Sequence, residues 1–399
     1  RTDKNISTFN VASLIPEQSY VFRIRAYNAG GYSTYSNELT VKTKPIPVAV
    51  TDLSTFSPDL IWNGQTDNNW NKSTQNWSGG TGFFTDNSKV LFPNFANASA
   101  ISIAEPISIG TMVVNSSNDY TLSGASMSGS GSINKTGSGK LSLLSDNNYT
   151  GATVLHQGTL EVNKIANGGV ASSTGASPNY DFNLVLKGGK LNYTGASAST
   201  DRSIAIENNP EISVETNGVI LTQNGIITGT GSLIKSGAGT LLSKNINTYE
   251  GTTTITNGTI DYNGVDNINA SLGVGKSYIL NGGRLKTSGG STTNYENYYA
   301  DIQVKDGNIS AFEPYRNCYI YSKFSGNGKL YFDISYVREY IQGDWTQFSG
   351  TVFARGLGTS TDGNQFMLNN TLGIPNGIVV TSGNTKIVCW KNASTMYLG

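Results

Sequence analysis

Apolar and polar residues alternate in short bursts along most of this chain. No stretch sustains the three-and-four spacing of an amphipathic helix. Ala100–Ile103, Ile107–Val114, Asn183–Leu186 and Ile302–Val304 are runs rich in aliphatic side chains, each bounded by Gly, Asn, Ser or Asp. Such punctuation predicts many short strands separated by turns. Helical signals are nearly absent, so the pattern predicts an all-β protein.

The first segment differs from the rest. Leu14, Pro16 and Tyr20 precede an alternating run, Tyr20-Val-Phe-Arg-Ile-Arg-Ala-Tyr27, which places Phe22, Ile24 and Ala26 on one face of a strand. Asn28–Gly31 predicts a turn and Glu38–Thr43 the next strand. The Leu-x-Pro-x-x-x-Tyr pattern puts a tyrosine near the start of a sandwich strand, where its hydroxyl can tie down a crossover. Residues Asn5–Thr43 resemble the second half of a fibronectin type III domain. A whole sandwich needs about seven strands and only about three are expected here. The missing half is therefore expected upstream. Lys44-Pro-Ile-Pro47 reads as an extended linker.

From about Leu60 the chain repeats itself. Ser128–Asn163 aligns without a gap onto Thr228–Asn263. The matches include Gly129/Gly229, Gly131/Gly231, Lys135/Lys235, Gly137/Gly237, Leu141/Leu241, Tyr149/Tyr249, Gly151/Gly251 and Gly158/Gly258. Val185–Leu191 answers Ile279–Leu285, and a weaker third copy runs through Gly326, Phe348–Thr351 and Thr371–Gly373. One unit cannot bury its apolar face alone, but stacked units can. Each copy is longer than a typical solenoid repeat of about 20–45 residues, so it should hold several coils. A right-handed parallel β-helix is the expected fold, with an array of β-sandwiches as its competitor.

The order of motifs sharpens this reading. Trp62-Asn-Gly64, Asn69-Trp70, Asn76-Trp77 and Asp86–Phe92 form an opening segment. There follow Gly-x-Gly-Ser-Ile/Leu-x-Lys-x-Gly-x-Gly-x-Leu, then Tyr-x-Gly-x-Thr, then Gly-Thr-Leu/Ile. This is similar to the passenger-associated β-strand repeats of autotransporter and related secreted bacterial proteins, over about Leu60 to Gly399. The resemblance implies an extracellular or cell-surface β-helix of a Gram-negative bacterium, found in adhesins and multidomain secreted proteins. No C-terminal membrane barrel follows in this chain, a departure from the autotransporter pattern. A type IX secretion cargo is the other expectation. The expected organisation is a half fibronectin-like module over 1–44, a linker over 45–59, a Trp-rich cap over 60–100 and a β-helix over 101–399. With no visible signal peptide at Arg1 and a pattern cut short at Leu398-Gly399, both ends are expected to continue.

Composition narrows the chemistry. The chain carries 27 basic and 27 acidic residues, so no excess of positive charge is available to neutralise phosphates, and nucleic acid is not an expected partner. No apolar run is long enough to span a bilayer. The expected partners are an extracellular glycan, other surface proteins and the remaining domains of its own full-length chain. Cys318 and Cys389 can form a disulfide outside the cell or stand as two buried thiols. Metal-type cysteine spacing is missing.

No catalytic residues are expected. His156, the one histidine, follows inward-pointing Leu155 and should face outward; Thr256 occupies its place in the second copy. No cofactor is expected, although Asp67–Asn69 and Asp146–Asn148 offer oxygen ligands for calcium or serve as ordinary Asx turns. Thr361-Asp362-Gly363 is faintly like an acidic motif of pectin-degrading hydrolases, whose other elements are missing. Glu207, Glu211 and Glu215 are the carboxylates that a β-helix lyase would want, or solvent-facing residues. The strongest candidate ligand site is aromatic. Tyr295, Tyr298, Tyr299, Tyr315, Tyr319 and Tyr321 crowd one region with Arg316, Phe312 and Phe324. They can stack on sugars, or form a stack inside the fold. Three functions are therefore carried forward: a non-catalytic structural or adhesin-like shaft, a carbohydrate-binding module, and a β-helix polysaccharide lyase or hydrolase.

Overall fold

A computed structural model describes residues 18–43 apart from 29, residues 53–357 apart from 95, 98, 292, 294 and 337, and the strands at 364–368, 378–380 and 385–389. The chain divides into two compact units, Arg1–Val50 and Thr51–Gly399.

The described part of the first unit holds two antiparallel pairs. Ser19–Phe22 pairs with Leu39–Lys42, and Tyr27–Asn28 pairs with Gly31–Tyr32. The single strand expected over Tyr20–Tyr27 is broken between Arg23 and Ala26. There hydroxyls replace carbonyls as acceptors: Ile24 N–H donates to Ser36 Oγ and Ala26 N–H to Ser33 Oγ. Leu14 and Pro16 lie outside the described residues.

The second unit is a parallel β-solenoid. Strands pair in parallel with strands about one coil away in sequence, as when Ser128 Oγ donates to Ile107 O across 21 positions. One coil carries up to three strands. The first face is a nine-stranded sheet running from Leu60–Trp62 to Ile227–Gly229, the second an unbroken thirteen-stranded sheet from Asn69–Trp70 to Gln347–Phe348. The third face becomes a nine-stranded sheet from Ala198–Thr200 to Ile378–Val380. Above Ile227–Gly229 the first face lapses, then resumes as a five-stranded sheet from Glu296–Tyr298 to Thr385–Cys389. In the gap sits one short α-helix, Val265–Ser271, with Ile268 and Leu272 buried. The sequence pattern did not predict it.

Strand alternation builds the core. Tyr120, Leu141, Leu160, Leu191 and Ile212 occupy matching positions on successive coils of the second face, and all are buried. Beside them run Leu122, Leu143, Val162, Tyr193 and Val214. Each such side chain contributes about 1.5–3 kcal/mol relative to exposure. The first coil is closed by aromatic rings. Trp62, Trp70, Trp77, Phe84 and Phe92 pack together, with Trp62–Trp77 centroids 5.1 Å apart. Trp77–Ser78 pairs antiparallel at the sheet edge and so ends the parallel stack. Residues 51–59 group with this unit, and Asp59 N–H donates to Lys89 O.

The repeat in sequence is not the coil. Ile133–Thr136 and Lys140–Leu143 lie on the first and second faces; their counterparts Leu233–Ser236 and Thr240–Ser243 lie on the second and third. The motif has moved round by one face because it encodes a corner between two strands, and any corner will serve. Gly137 and Gly237 turn that corner at φ +71° and +68°. Gly131 meets a tighter demand, since a Cβ there would lie 1.5 Å from the Gly110 carbonyl oxygen. The lysine of the motif points inward. Lys135 Nζ donates to the carbonyls of Thr136, Gly137 and Gln157, and Lys235 Nζ donates to those of Ser236, Gly237 and Asn257. Each ammonium thus ties a corner to the next coil.

Lys235→Ala would leave three corner carbonyls without this donor, and is expected to lower stability by roughly 2–4 kcal/mol, read as a shift of the urea midpoint. Burial pushes both ammonium groups down to about 8 from 10.5. On these two lysines the unfolded chain therefore holds more protons above pH 8, and their contribution to stability should rise with pH from 8 towards 10. Thermal melts across that interval should show a more positive slope of stability with pH in the parent than in the Lys135→Ala/Lys235→Ala double variant.

Candidate functional site

The tyrosine-rich region lies on the late sheet of the first face, and alternation sorts its residues. On Glu296–Tyr298, Cys318–Ile320 and Arg338–Ile341, the first-paired residues Glu296, Cys318 and Glu339 point inward. Tyr298, Ile320 and Ile341 do the same one step on. Asn297, Tyr319 and Tyr340 point outward between them.

Tyr298 is therefore an interior residue, 0% exposed, with its hydroxyl 3.0 Å from Thr287 Oγ1. Phe312 and Phe324 are interior too, packed at 5.9 Å. Tyr298 has no face open to a sugar, which corrects its place among the expected ligand residues: it is one strand step out of phase with Tyr319. Tyr315 is half-buried at the preceding corner, where its N–H donates to Thr287 Oγ1. Arg316 occupies the left-handed region at φ +50° and lays its guanidinium 4.4 Å from the Tyr336 ring.

Outside, five tyrosines form a ladder. Tyr319 lies 5.1 Å from Tyr295 and 4.9 Å from Tyr340, centroid to centroid. Tyr299 and Tyr321 stack at 4.9 Å with their planes 7° apart. Tyr319 and Tyr321 adjoin at 6.3 Å. Arg338 hydrogen-bonds Tyr340 and Tyr295. Tyr340, Tyr336 and Arg338 were missed in the sequence because they lie one coil later; a search at coil spacing finds Tyr340 opposite Tyr319. Tyr299 and Tyr321 stack with near-parallel planes, their neighbours in the ladder meet at tilted or edge-on angles, and Tyr295, Tyr299 and Tyr321 stay partly exposed.

The inner column is chemically unusual. Glu339 is fully buried, and neither carboxyl oxygen makes a hydrogen bond of good geometry. Burial pushes its pKa well above the ordinary carboxylate range, opposed by the Ser335 amide and reinforced by the Asp333 and Glu313 carboxylates, so the acid is held protonated. Cys318 beside it is a free buried thiol, also pushed up by burial. The register runs Cys318, Glu339, Phe366, Ile387, so Cys389 sits three coils on. Three spacings of about 4.8 Å exceed any disulfide span. The bonded alternative for this pair is thereby excluded.

Other candidate groups are engaged in local bonds. His156 is half-buried, with Nε2 3.4 Å from Asn134 Oδ1, and burial lowers its pKa. Glu207 pairs with Lys187 at 3.2 Å, and Glu211 and Glu215 both approach Lys190 on the neighbouring coil. Asp67 accepts hydrogen bonds from Asn69 and Asn76, which lower its pKa, and Asp146 is ion-paired to Lys164. Thr361–Gly363 lies outside the described residues. Among the described residues no group of three or more His, Cys, Asp or Glu side chains is placed to hold a metal ion. No helix among them is long and apolar enough to cross a membrane.

Comparison with known proteins matches the corner motif. The passenger-associated-transport-repeat family model matches residues 133–162 and 233–261, the two strand–corner–strand copies carrying Lys135 and Lys235. The chain is 39% identical over 123 residues to the adhesin BmaC autotransporter of Brucella suis biovar 1 (strain 1330). That match covers 30% of this chain and 4% of the relative. No solved structure matches.

Glu339→Gln keeps the shape and removes the titration. The folded carboxyl holds its proton after the unfolded one has lost it, so the parent should lose stability as pH rises above about 4.5. The variant should be more stable at pH 7 by roughly 1–3 kcal/mol and flatter between pH 4.5 and 7, measured by denaturant titration at each pH.

Proposed function

We propose that this chain is a non-catalytic, adhesin-like β-solenoid segment of a secreted or surface protein of a Gram-negative bacterium. The observation that carries this reading is the corner motif. Its two copies are the ones the passenger-repeat family model matches, and each contributes strands to the same unbroken thirteen-stranded sheet. The partial likeness to an autotransporter adhesin supports the same reading. Parallel strands joined by short crossovers favour a right-handed coil. The second unit then acts as a stiff spacer roughly 60 Å long, from about 4.8 Å per coil. The N-terminal unit is read as the C-terminal half of a fibronectin type III domain, supported by the antiparallel pairing of Ser19–Phe22 with Leu39–Lys42. On this reading its partners are other surface proteins and the rest of its own chain, and a glycan belongs to the second reading below. Export follows an autotransporter or a type IX route.

A second reading, glycan binding, rests on the exposure of Tyr295, Tyr299 and Tyr321 with Tyr319, Tyr315 and Arg316 nearby in sequence. The mutual stacking of these rings favours the structural role, because sugar recognition needs a free aromatic face.

Beads coated with the chain should adhere to host cells or matrix above albumin-coated beads, while polysaccharides incubated with it gain no new reducing or unsaturated ends. Sustained release of such ends would contradict the non-catalytic reading. On a glycan array the chain should give little signal; strong binding lost about tenfold or more in Tyr319→Ala/Tyr321→Ala would establish the second reading instead.

A further inference from the structure

The outer ladder contains one pair unlike the rest. Tyr299 and Tyr321 follow the register partners Tyr298 and Ile320 on adjacent coils, so their side chains leave the sheet in the same direction. Tyr321 N–H donates to Tyr298 O, which fixes the two backbones against each other. Their rings are nearly parallel, 4.9 Å apart, and stand 41% and 39% exposed. Tyr340, by contrast, is buried to 9% exposure and bonded to Arg338. The Tyr299–Tyr321 pair combines ring contact, parallel planes and solvent access.

We propose that Tyr299 and Tyr321 form an oxidative cross-linking site, at which a peroxidase-type one-electron oxidant acting with hydrogen peroxide joins consecutive coils through a dityrosine bond. Each phenol gives up one electron and one proton to the oxidant, leaving a phenoxyl radical. Hydrogen peroxide takes the two electrons and two protons and becomes two waters. The radicals couple through ring carbons ortho to their oxygens, forming one C–C bond. The hydrogens on those carbons are lost as the rings regain aromaticity, and the two oxygens are reprotonated as phenols. The product has two hydrogen atoms fewer than the starting pair. Burial raises the ordinary tyrosine pKa of Tyr321, so at neutral pH it is the protonated phenol that reacts.

Proximity sets the selectivity. Two rings held in contact by a rigid sheet react at an effective concentration far above that of separate chains in dilute solution. The bond would close a covalent loop across one coil, restricting the unfolded chain much as a disulfide does. It requires no thiol, and so does not depend on Cys318, which is buried.

The test uses the full chain at low micromolar concentration, treated with a haem peroxidase and hydrogen peroxide, digested and mapped by mass spectrometry. The expected product is an intramolecular cross-linked peptide pair containing Tyr299 and Tyr321, with blue dityrosine fluorescence. Tyr299→Phe and Tyr321→Phe retain the ring and its stacking but cannot form the phenoxyl radical; each should cut the intramolecular yield about tenfold or more. Circular dichroism of both variants checks that the fold is kept, and urea-unfolded parent should lose the selectivity. Dityrosine confined to other tyrosines, formed only between chains, or undiminished in either folded variant would overturn the proposal.

Discussion

Backbone hydrogen bonding between coils governs this molecule, because each strand must find its N–H and C=O partners on the coils above and below. That demand fixes the shape of every coil to that of its neighbours. The corners are where it is hardest to meet, since the chain turns there and its carbonyls leave the ladder. Glycines let the backbones close up, as Gly131 does against Gly110. Lys135 and Lys235 then bind the freed carbonyls from inside, three each. A buried ammonium is costly, and it is tolerated here because donors and acceptors match.

The ladder also explains what the outside looks like. Side chains at one strand position recur every coil, so like groups collect in columns. Lysines and glutamates gather in one place, as with Lys187, Lys190, Glu207, Glu211 and Glu215, and tyrosines in another. These columns satisfy themselves by neighbour-to-neighbour pairing. A carboxylate held by a lysine one coil away is poorly placed for acid–base work, and a tyrosine stacked on a tyrosine has less face to offer a sugar. The surface chemistry is thereby directed towards stiffness.

Much of this was legible in the sequence. The repeated Gly-x-Gly-Ser-x-x-Lys-x-Gly-x-Gly signalled corners at fixed offsets, and the tryptophans of the opening segment pack together in the first coil. Other features were not legible, for physical reasons. The shift of the motif by one face depends on how many strands lie between the copies, and turn-rich sequence does not reveal that count. The helix at Val265–Ser271 is too short for its apolar spacing to stand out. The tyrosine cluster was grouped by nearness in sequence, whereas alternation separates Tyr298 from Tyr299 and coil spacing adds Tyr340. Cys318 and Cys389 were ambiguous because only the register places them three coils apart.

Coil-on-coil register is tested most directly by paired cysteines at positions of the second face that alternate with its core residues. Ser142 and Glu161 are register partners on adjacent coils, and Asn192 lies one coil further on. With Cys318 and Cys389 replaced by serine, Ser142→Cys/Glu161→Cys should close a disulfide under mild oxidation within one chain, whereas Ser142→Cys/Asn192→Cys should stay reduced. Equal closure of both pairs, or closure of the distant pair alone, would contradict the stacked-coil account.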